Sequence, residues 1–202
     1  GVLVFLLAII PMSGGSHINL MRAESPGPSV GKIVPKIKHT ARILYLIYIA
    51  LTLLQFVLLL FGKMPVFDSA IHAMGTAGTG GFGFKNDSFG SYSSYLQIIV
   101  TIFMILFSVN FSSYYLIITG KLKDAFNSEF RLFFLIVGAS IAVITVNVEH
   151  IFGSISEALK HSAFTVATII STTGFSTADF DMWPELSRTI RSWISLLGIA
   201  LP

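Results

Sequence analysis

The sequence predicts an all-α membrane protein built from repeated helix–pore-helix–helix units. Three observations support this: the composition, a short loop that occurs twice, and the long apolar segments before and after each copy of that loop. Hydrophobic residues make up 53% of the 202-residue chain and charged residues only 11%, whereas a soluble domain is about a quarter charged. So few charges cannot cover a soluble globule of this size, and we therefore expect the protein to be embedded in a lipid bilayer.

The duplicated loop is the feature around which the other segments are arranged. Its first copy is Thr79-Gly80-Gly81-Phe82-Gly83 and its second is Thr172-Thr173-Gly174-Phe175-Ser176. The copies and the segments before them align without a gap at a constant offset of 93 residues. Internal repeats in a membrane protein usually mark structural units that share one pathway. Each copy ends an apolar run too short to cross a bilayer, so we interpret both as re-entrant filter loops of a cation pore.

The first part of the chain alternates between apolar and polar stretches. Residues 1–12 are apolar and lack a basic start and a small-residue cleavage site. They are therefore predicted to be the end of a membrane helix and not a signal peptide. Residues 13–42 are polar, basic and rich in Gly and Pro, which indicates a cytoplasmic linker.

Two similar units follow the linker. The first covers residues 43–119, with a span at 43–61, a pore helix at 68–78, a filter loop at 79–83 and a span at 95–119. The second covers residues 130–202 after a charged cytoplasmic loop at 120–131, with a span at 130–148, a pore helix at 156–171, a filter loop at 172–176 and a helix from 184. Pro65 is placed to begin the first pore helix, and Asp68 is its predicted N-cap. Both chain ends lie inside apolar runs, so we expect an internal portion of a longer membrane protein.

Charged residues predict the orientation. The linkers at 13–42 and 120–131 carry most of the basic residues, which are Arg22, Lys32, Lys36, Lys38, Arg42, Lys121, Lys123 and Arg131. The filter side carries mainly acidic residues, which are Asp68, Asp87, Glu149, Glu157, Asp179, Asp181 and Glu185. By the positive-inside rule the linkers are cytoplasmic and the filters open outward. An acidic outer mouth would concentrate cations. For the cluster of Asp179, Asp181 and Glu185, however, a solvated loop is favoured over a cation site.

The residue types of the loops suit a dehydrated cation. Backbone carbonyls can replace its hydration shell if consecutive peptides face inward, and this requires positive φ at some positions. Glycine adopts positive φ without strain, which favours Gly81, Gly83 and Gly174. The hydroxyls of the loop threonines could add oxygens, the two loop phenylalanines are expected to wedge against neighbouring helices, and the negative C-terminal ends of the pore helices would stabilise a cation.

These motifs are similar to known filters. The first loop resembles the T-V-G-Y-G filter of potassium channels, with Phe in place of Tyr, and the whole chain resembles the Trk/Ktr/HKT superfamily of potassium transporters, the TrkH pore subunits most closely. Four motifs carry this resemblance, namely Pro11-Met12 followed by Arg22–Pro28, the GGFG loop, Asn110-Phe111-Ser112, and Thr172-Thr173-Gly174-Phe175 leading to Trp183-Pro184. One glycine in each loop is a fixed feature of that family. Here it would be Gly81 in the first loop and Gly174 in the second.

The resemblance implies a fold of the potassium-channel type, in which four repeats surround one pore. This chain would hold the end of repeat one, repeat two and most of repeat three, without the first and fourth filters or the Gly-rich gate loop. Potassium would be the transported ion, with no covalent cofactor. Its ligands would be the carbonyls of Thr79, Gly80, Gly81, Phe82, Thr172, Thr173, Gly174 and Phe175. The resemblance also implies a multi-pass protein of the cytoplasmic (inner) membrane, a homodimer, and a cytosolic nucleotide-binding regulatory subunit of the TrkA/KtrA type.

Several alternatives remain beside this interpretation. Asn110 and Ser112 could line the cavity below the filter or form an interhelical hydrogen bond. A secondary transporter of another cation or small solute could use discontinuous helices as its site, and a non-transporting membrane scaffold is a weaker option. Residues 78–83 also fit G-x-G-x-x-G, but no strand precedes them. We find no nucleic-acid face, no cysteine, no metal-ligand spacing among the five histidines and no catalytic pair, and therefore no enzyme.

Overall fold

The computed structural model describes the backbone of residues 37–200 and the side chains of residues 42–196. In chain order the elements are α1 (Ile37–Phe61), α2 (Val66–Ala77), α3 (Ser94–Ser108), α4 (Phe111–Ile118), α5 (Leu122–Ala125), α6 (Ser128–Phe152), α7 (Ile155–Ile170), a 3-10 turn (Phe180–Met182) and α8 (Glu185–Ala200). The fold of these residues is all-helical, as predicted. The predicted helix end at 1–12, the linker up to residue 36 and the motif of residues 22–28 lie outside the described residues.

Within the part of the chain that the structure describes, two helices are long and apolar enough to cross a membrane, namely Arg42–Phe61 within α1 and Ser128–Phe152, which is α6. The second begins where the Asn127 side chain accepts a hydrogen bond from the Phe130 backbone at 2.8 Å. It ends at Gly153, whose φ of 66° is the left-handed conformation of a helix C-cap. Both helices expose large apolar side chains along one face, as a lipid-facing surface requires.

The segment predicted as a span at 95–119 is not one continuous helix, although its two halves together are long and apolar enough to cross a membrane. The structure divides it into α3 and α4, which meet at an angle of 86°. Val109 is extended at the break, and the Asn110 side chain accepts a hydrogen bond from the Ser112 backbone at 2.9 Å. Asparagine competes with helical hydrogen bonding in this way, so it begins a new helix instead of continuing the old one.

The two short helices, α2 and α7, each precede one of the duplicated loops. The first begins two residues earlier than predicted, and Asp68 is not its N-cap. Pro65 occupies that position with φ of −53° and without a side-chain cap hydrogen bond. Because proline already has a helical φ, the helix begins directly after it. Asp68 therefore lies inside the first turn, where its carboxylate still interacts favourably with the helix dipole.

The two units pack into each other. α2 contacts α1 and α3, and α7 contacts α6, α8 and also α3. The second helix of the first unit therefore supports the short helix of the second unit. A buried cluster forms where they meet, and its members are Leu59, Met64, Ala73, Phe89, Leu96, Val100, Met104, Phe164, Ala167 and Phe175. This packing places the two loops side by side.

Candidate functional site

The two loops leave their short helices through the same hydrogen bonds. In the first, the Gly80 backbone N–H donates to the Gly75 carbonyl at 2.8 Å. In the second, the Thr173 N–H donates to the Thr168 carbonyl at 2.9 Å. These pairs are equivalent at the sequence offset of 93 residues. The repeat seen in the sequence is therefore also a repeat of backbone geometry.

The loops also share an alternation of backbone handedness. In the first, φ is positive at Thr79 (49°) and Gly81 (65°), and in the second at Thr172 (55°) and Gly174 (93°). The expected positive φ at Gly81 and Gly174 is confirmed. Gly80 and Thr173, the residues between the two positive-φ positions of each loop, are outside the left-handed region. Such alternation lets consecutive peptide groups face one side. A left-handed threonine is unusual and costs about 1–3 kcal/mol, and residue type had not predicted it.

Gly83 was also expected to have a positive φ, and this was wrong. The φ of Gly83 is not in the left-handed region, and the absence of a side chain serves another purpose. A Cβ built on Gly83 would lie 2.9 Å from the Cε1 atom of His72. The glycine therefore permits the loop to pack against the imidazole of the helix behind it.

The two loops touch each other. A Cβ built on Gly81 would overlap the carbonyl oxygen of Thr173 and lie 3.2 Å from the carbonyl carbon of Gly174. A Cβ on Gly174 would meet no atom within 4 Å among the described residues. Gly81 thus faces the neighbouring loop, and Gly174 faces open space.

The two loop phenylalanines differ in their surroundings. Phe175 is 1% exposed and packs against Phe89, with ring centroids 4.8 Å apart. Phe82 is 77% exposed. The predicted wedge is therefore present at Phe175, while the described residues leave Phe82 exposed. Phe175 packs on α2, the short helix of the unit before its own.

Hydrogen bonds also join the first unit to the second loop. The Phe89 N–H donates to the Ser176 carbonyl at 2.8 Å, and the Ser176 N–H donates to the Ser88 hydroxyl at 3.1 Å. Behind this loop the Gly174 N–H donates to the Thr168 hydroxyl at 3.0 Å. Both ends of the second loop are therefore held by side chains or backbone outside it.

A cavity of about 910 Å³ lies beside the second loop, with residues of α7, the loop and α8 in its wall. Thr172 and Gly174 contribute from the loop, and Arg188 and Arg191 from α8. The sequence interpretation did not include these arginines, although their spacing of three residues on an amphipathic helix places them on one face. The Arg191 guanidinium lies 3.5 Å from the ring centroid of Phe180.

The remaining predicted residues have local roles in the structure. Asp179 accepts a hydrogen bond from the Asp181 backbone at 3.0 Å, and Asp181 lies 3.8 Å from Arg191. These contacts favour the solvated-loop interpretation of the acidic cluster. Among the described residues no group of His, Cys, Asp or Glu could hold a metal ion. Asn110 and Ser112 form the cap at the α3–α4 break, where the Asn110 side chain accepts a hydrogen bond from the Ser112 backbone.

Comparison with known proteins gives a consistent result. The sequence model of the TrkH family, described as "Cation transport protein", matches residues 1–198. The Trk system potassium uptake protein TrkH of Salmonella typhimurium is 31% identical over 190 residues, which cover 91% of this chain and 39% of that protein. The Trk system potassium uptake protein TrkG of Escherichia coli is 31% identical over 189 residues, with the same two shares.

A solved structure is also similar. The crystal structure of the potassium transporter TrkH from Vibrio parahaemolyticus superimposes with a TM-score of 0.75 at 27% sequence identity. The match covers 88% of this chain and 39% of that chain. The chain thus spans about two fifths of the length of the relatives it matches.

Proposed function

The chain belongs to the TrkH family of cation transport proteins, and we propose on that premise that it takes part in potassium uptake across the cytoplasmic membrane. The observation that carries the proposal is the contact between Gly81 of one loop and Thr173 of the other. Two loops with the same backbone geometry meet there at an exposed edge. This is the arrangement expected of neighbouring segments in a carbonyl-lined filter.

The proposed ligands are backbone carbonyl oxygens of residues 79–82 and 172–175. A carbonyl ring replaces the hydration shell of a potassium ion without adding a fixed negative charge. α2 and α7 end at these loops, and their C-terminal ends carry partial negative charge. Dipoles and carbonyls therefore act together on a cation in the pathway. Non-helical backbone is tolerated at membrane depth because it lines such a pathway.

The chain would supply repeat two and most of repeat three of a four-repeat pore, with residues 1–12 as the end of repeat one. Packing of Phe175 on the preceding unit supports this, since the same contact repeated around an axis would close a ring. We further propose a multi-pass protein that functions as a homodimer with a cytosolic nucleotide-binding regulatory subunit of the TrkA/KtrA type. These two partners rest on the family alone.

The test is ion flux through the complete gene product that carries this sequence, reconstituted in liposomes. Uptake of rubidium, a potassium analogue, is measured with and without sodium as competitor. We expect rubidium uptake that an equal concentration of sodium reduces only weakly. Absence of alkali-cation flux, with and without the regulatory subunit and nucleotide, would overturn the proposal.

One observation favours a second candidate function, a secondary transporter of another cation or small solute. The 86° break between α3 and α4 is a discontinuous helix, and transporters of that class use such breaks as binding sites. The two functions predict different results in the same liposomes. A solute transporter would carry no rubidium, and variants of the α3–α4 break would alter its transport more than variants of the loops.

A further inference from the structure

His72 lies behind the first filter loop, on the face of α2 that points into the protein. It is fully buried. Four aromatic rings surround the imidazole, those of Phe89 at 4.7 Å, Tyr92 at 5.5 Å, Phe175 at 5.6 Å and Phe84 at 6.3 Å between centroids. A histidine enclosed in this way is positioned by packing from several sides.

This one imidazole contacts both filter loops. Gly83 of the first loop packs so closely that a Cβ there would lie 2.9 Å from the imidazole Cε1. Phe175 of the second loop meets the same ring nearly edge to face, with an interplanar angle of 65°. A small displacement of His72 would therefore shift both loops relative to each other.

A short polar chain connects His72 to the outer surface. Its Nε2 atom lies 3.3 Å from the Tyr92 hydroxyl. The pKa of Tyr92 is raised by burial and by the carboxylates of Asp68 and Asp87, with hydrogen bonding to Asp68 contributing. We assign the Nε2–H tautomer, in which the imidazole donates to the Tyr92 oxygen, because Nδ1 has no acceptor for a proton among the described residues and therefore carries the lone pair.

The Nδ1 atom is buried and has no hydrogen-bond partner among the described residues. A proton added there would create a buried cation whose new N–H has no acceptor, which is costly. Burial accordingly lowers the pKa of His72, an effect that the Asp68 carboxylate opposes and the Lys85 ammonium reinforces. The charged groups that face this site are thus Asp68 and Asp87 on the acidic side and Lys85 on the basic side, and the Lys85 ammonium itself lies 3.9 Å from the centre of the Tyr92 ring.

The second unit lacks this arrangement. The residue equivalent to His72 at the repeat offset is Thr165, which lines the cavity beside the second loop. There the loop is held by the Thr168 hydroxyl instead. His161, the histidine of α7, contacts Thr177 at 2.9 Å and stacks on Phe152, and it approaches no loop glycine. The imidazole behind the filter is therefore particular to the first loop.

We propose that His72 is a positioning residue that, through Tyr92 and Asp68, holds the two filter loops in register and makes ion preference depend on external pH. The proposal rests on the proposed potassium function and adds a specific site to it. The neutral imidazole supports the narrow arrangement of the loops. Its protonation moves the ring out of the aromatic cluster and loosens both loops, so sodium competes better at acidic pH.

The experiment measures rubidium uptake with sodium as competitor at external pH of about 7.5 and about 4.5, because burial lowers the pKa of His72 and the acidic condition must lie well below the ordinary histidine value. The complete gene product is compared with His72→Gln, His72→Phe, Tyr92→Phe and the matched control His161→Gln. His72→Gln keeps a neutral group that can bond Tyr92, so it retains preference at pH 7.5 and loses the pH dependence. His72→Phe and Tyr92→Phe each lose about five- to tenfold in preference at both pH values, the usual effect of one hydrogen bond.

His161→Gln is expected to keep the full pH dependence, since its imidazole does not support a filter glycine. Equal ion preference and equal pH response in wild type, His72→Gln and Tyr92→Phe would overturn the inference while leaving the potassium function intact. Absence of rubidium flux in the wild type would overturn the potassium function itself. Gel filtration in detergent identifies variants that do not assemble. If the His72 variants fail in this way, the ion preference of Tyr92→Phe, which removes only one part-buried hydroxyl, tests the inference by itself.

Discussion

Gly81 of the first loop lies directly against the carbonyl oxygen of Thr173 in the second, with no space for a side chain between them. The glycine also has a φ of 65°. Two independent constraints, steric contact and backbone conformation, therefore require the same residue type. The contact joins two segments that are far apart in sequence and equivalent by the repeat.

The first prediction concerns that contact. Gly81→Ser should lower the preference for rubidium over sodium at least tenfold, because the new Cβ displaces the Thr173 carbonyl and the backbone conformation becomes strained by about 1–3 kcal/mol. The matched control is Gly138→Ser on α6, where a Cβ would meet no described atom within 4 Å. Equal competition by sodium in wild type and Gly81→Ser would show that Gly81 is not part of the filter.

Gly174 provides a graded comparison for the same assay. Its φ is 93°, but a Cβ would meet no described atom. Gly174→Ser is therefore expected to add backbone strain without a clash against the other loop. If this variant lost more ion preference than Gly81→Ser, contact between the two loops would not be the main constraint on Gly81.

The second prediction concerns Phe175. Its burial in the cluster with His72, Phe89 and Phe164 implies that Phe175→Ala costs about 3–5 kcal/mol. We expect a clear loss of thermal stability in detergent together with loss of ion preference. Phe61→Ala is the control, since Phe61 is 75% exposed on α1. Similar melting temperatures for the two variants would contradict the proposed wedge.

The third prediction concerns the attachment of α2 to the first span. The Gln55 amide donates to the Thr76 hydroxyl at 2.9 Å, and both side chains are fully buried. Thr76→Val leaves the amide without a partner and should cost about 1–3 kcal/mol. The double variant Gln55→Leu with Thr76→Val removes both polar groups.

We expect the double variant to be more stable than the sum of the single changes predicts, because no buried polar group then remains unpaired. Denaturation of the detergent-solubilised protein measures this coupling in a double-mutant cycle. Strictly additive effects would show that the two side chains do not interact.

The fourth prediction concerns the α3–α4 break. Asn110→Ala removes the acceptor that caps α4 and should cost about 1 kcal/mol. With the cap absent, the segment should straighten, so spin labels placed near the two far ends of α3 and α4 should move apart. Asn110→Asp retains an acceptor and is expected to keep the native distance. An unchanged distance in Asn110→Ala would show that packing alone maintains the bend.

Local chemistry explains why part of this site was predictable. The repeat, the two short helices and the glycine conformations at Gly81 and Gly174 depend on spacing, length and residue type, all of which are present in the sequence. The same reasoning wrongly predicted a positive φ at Gly83, and it did not predict the positive φ of Thr79 and Thr172. Glycine at Gly83 serves close packing against His72, and the strain at the threonines is imposed by the loop closures that both units share.

The sequence by itself determined the membrane environment, the duplicated unit and the position of both loops, because hydropathy and repeat offset are one-dimensional properties. Only the tertiary structure decided that Gly81 meets Thr173, that Phe175 is buried while Phe82 is exposed, and that His72 contacts both loops. These relations depend on how α3 packs against α7, which brings together residues about 90 positions apart. No local pattern encodes such a contact, since it arises from the sum of many packing interactions across the two units.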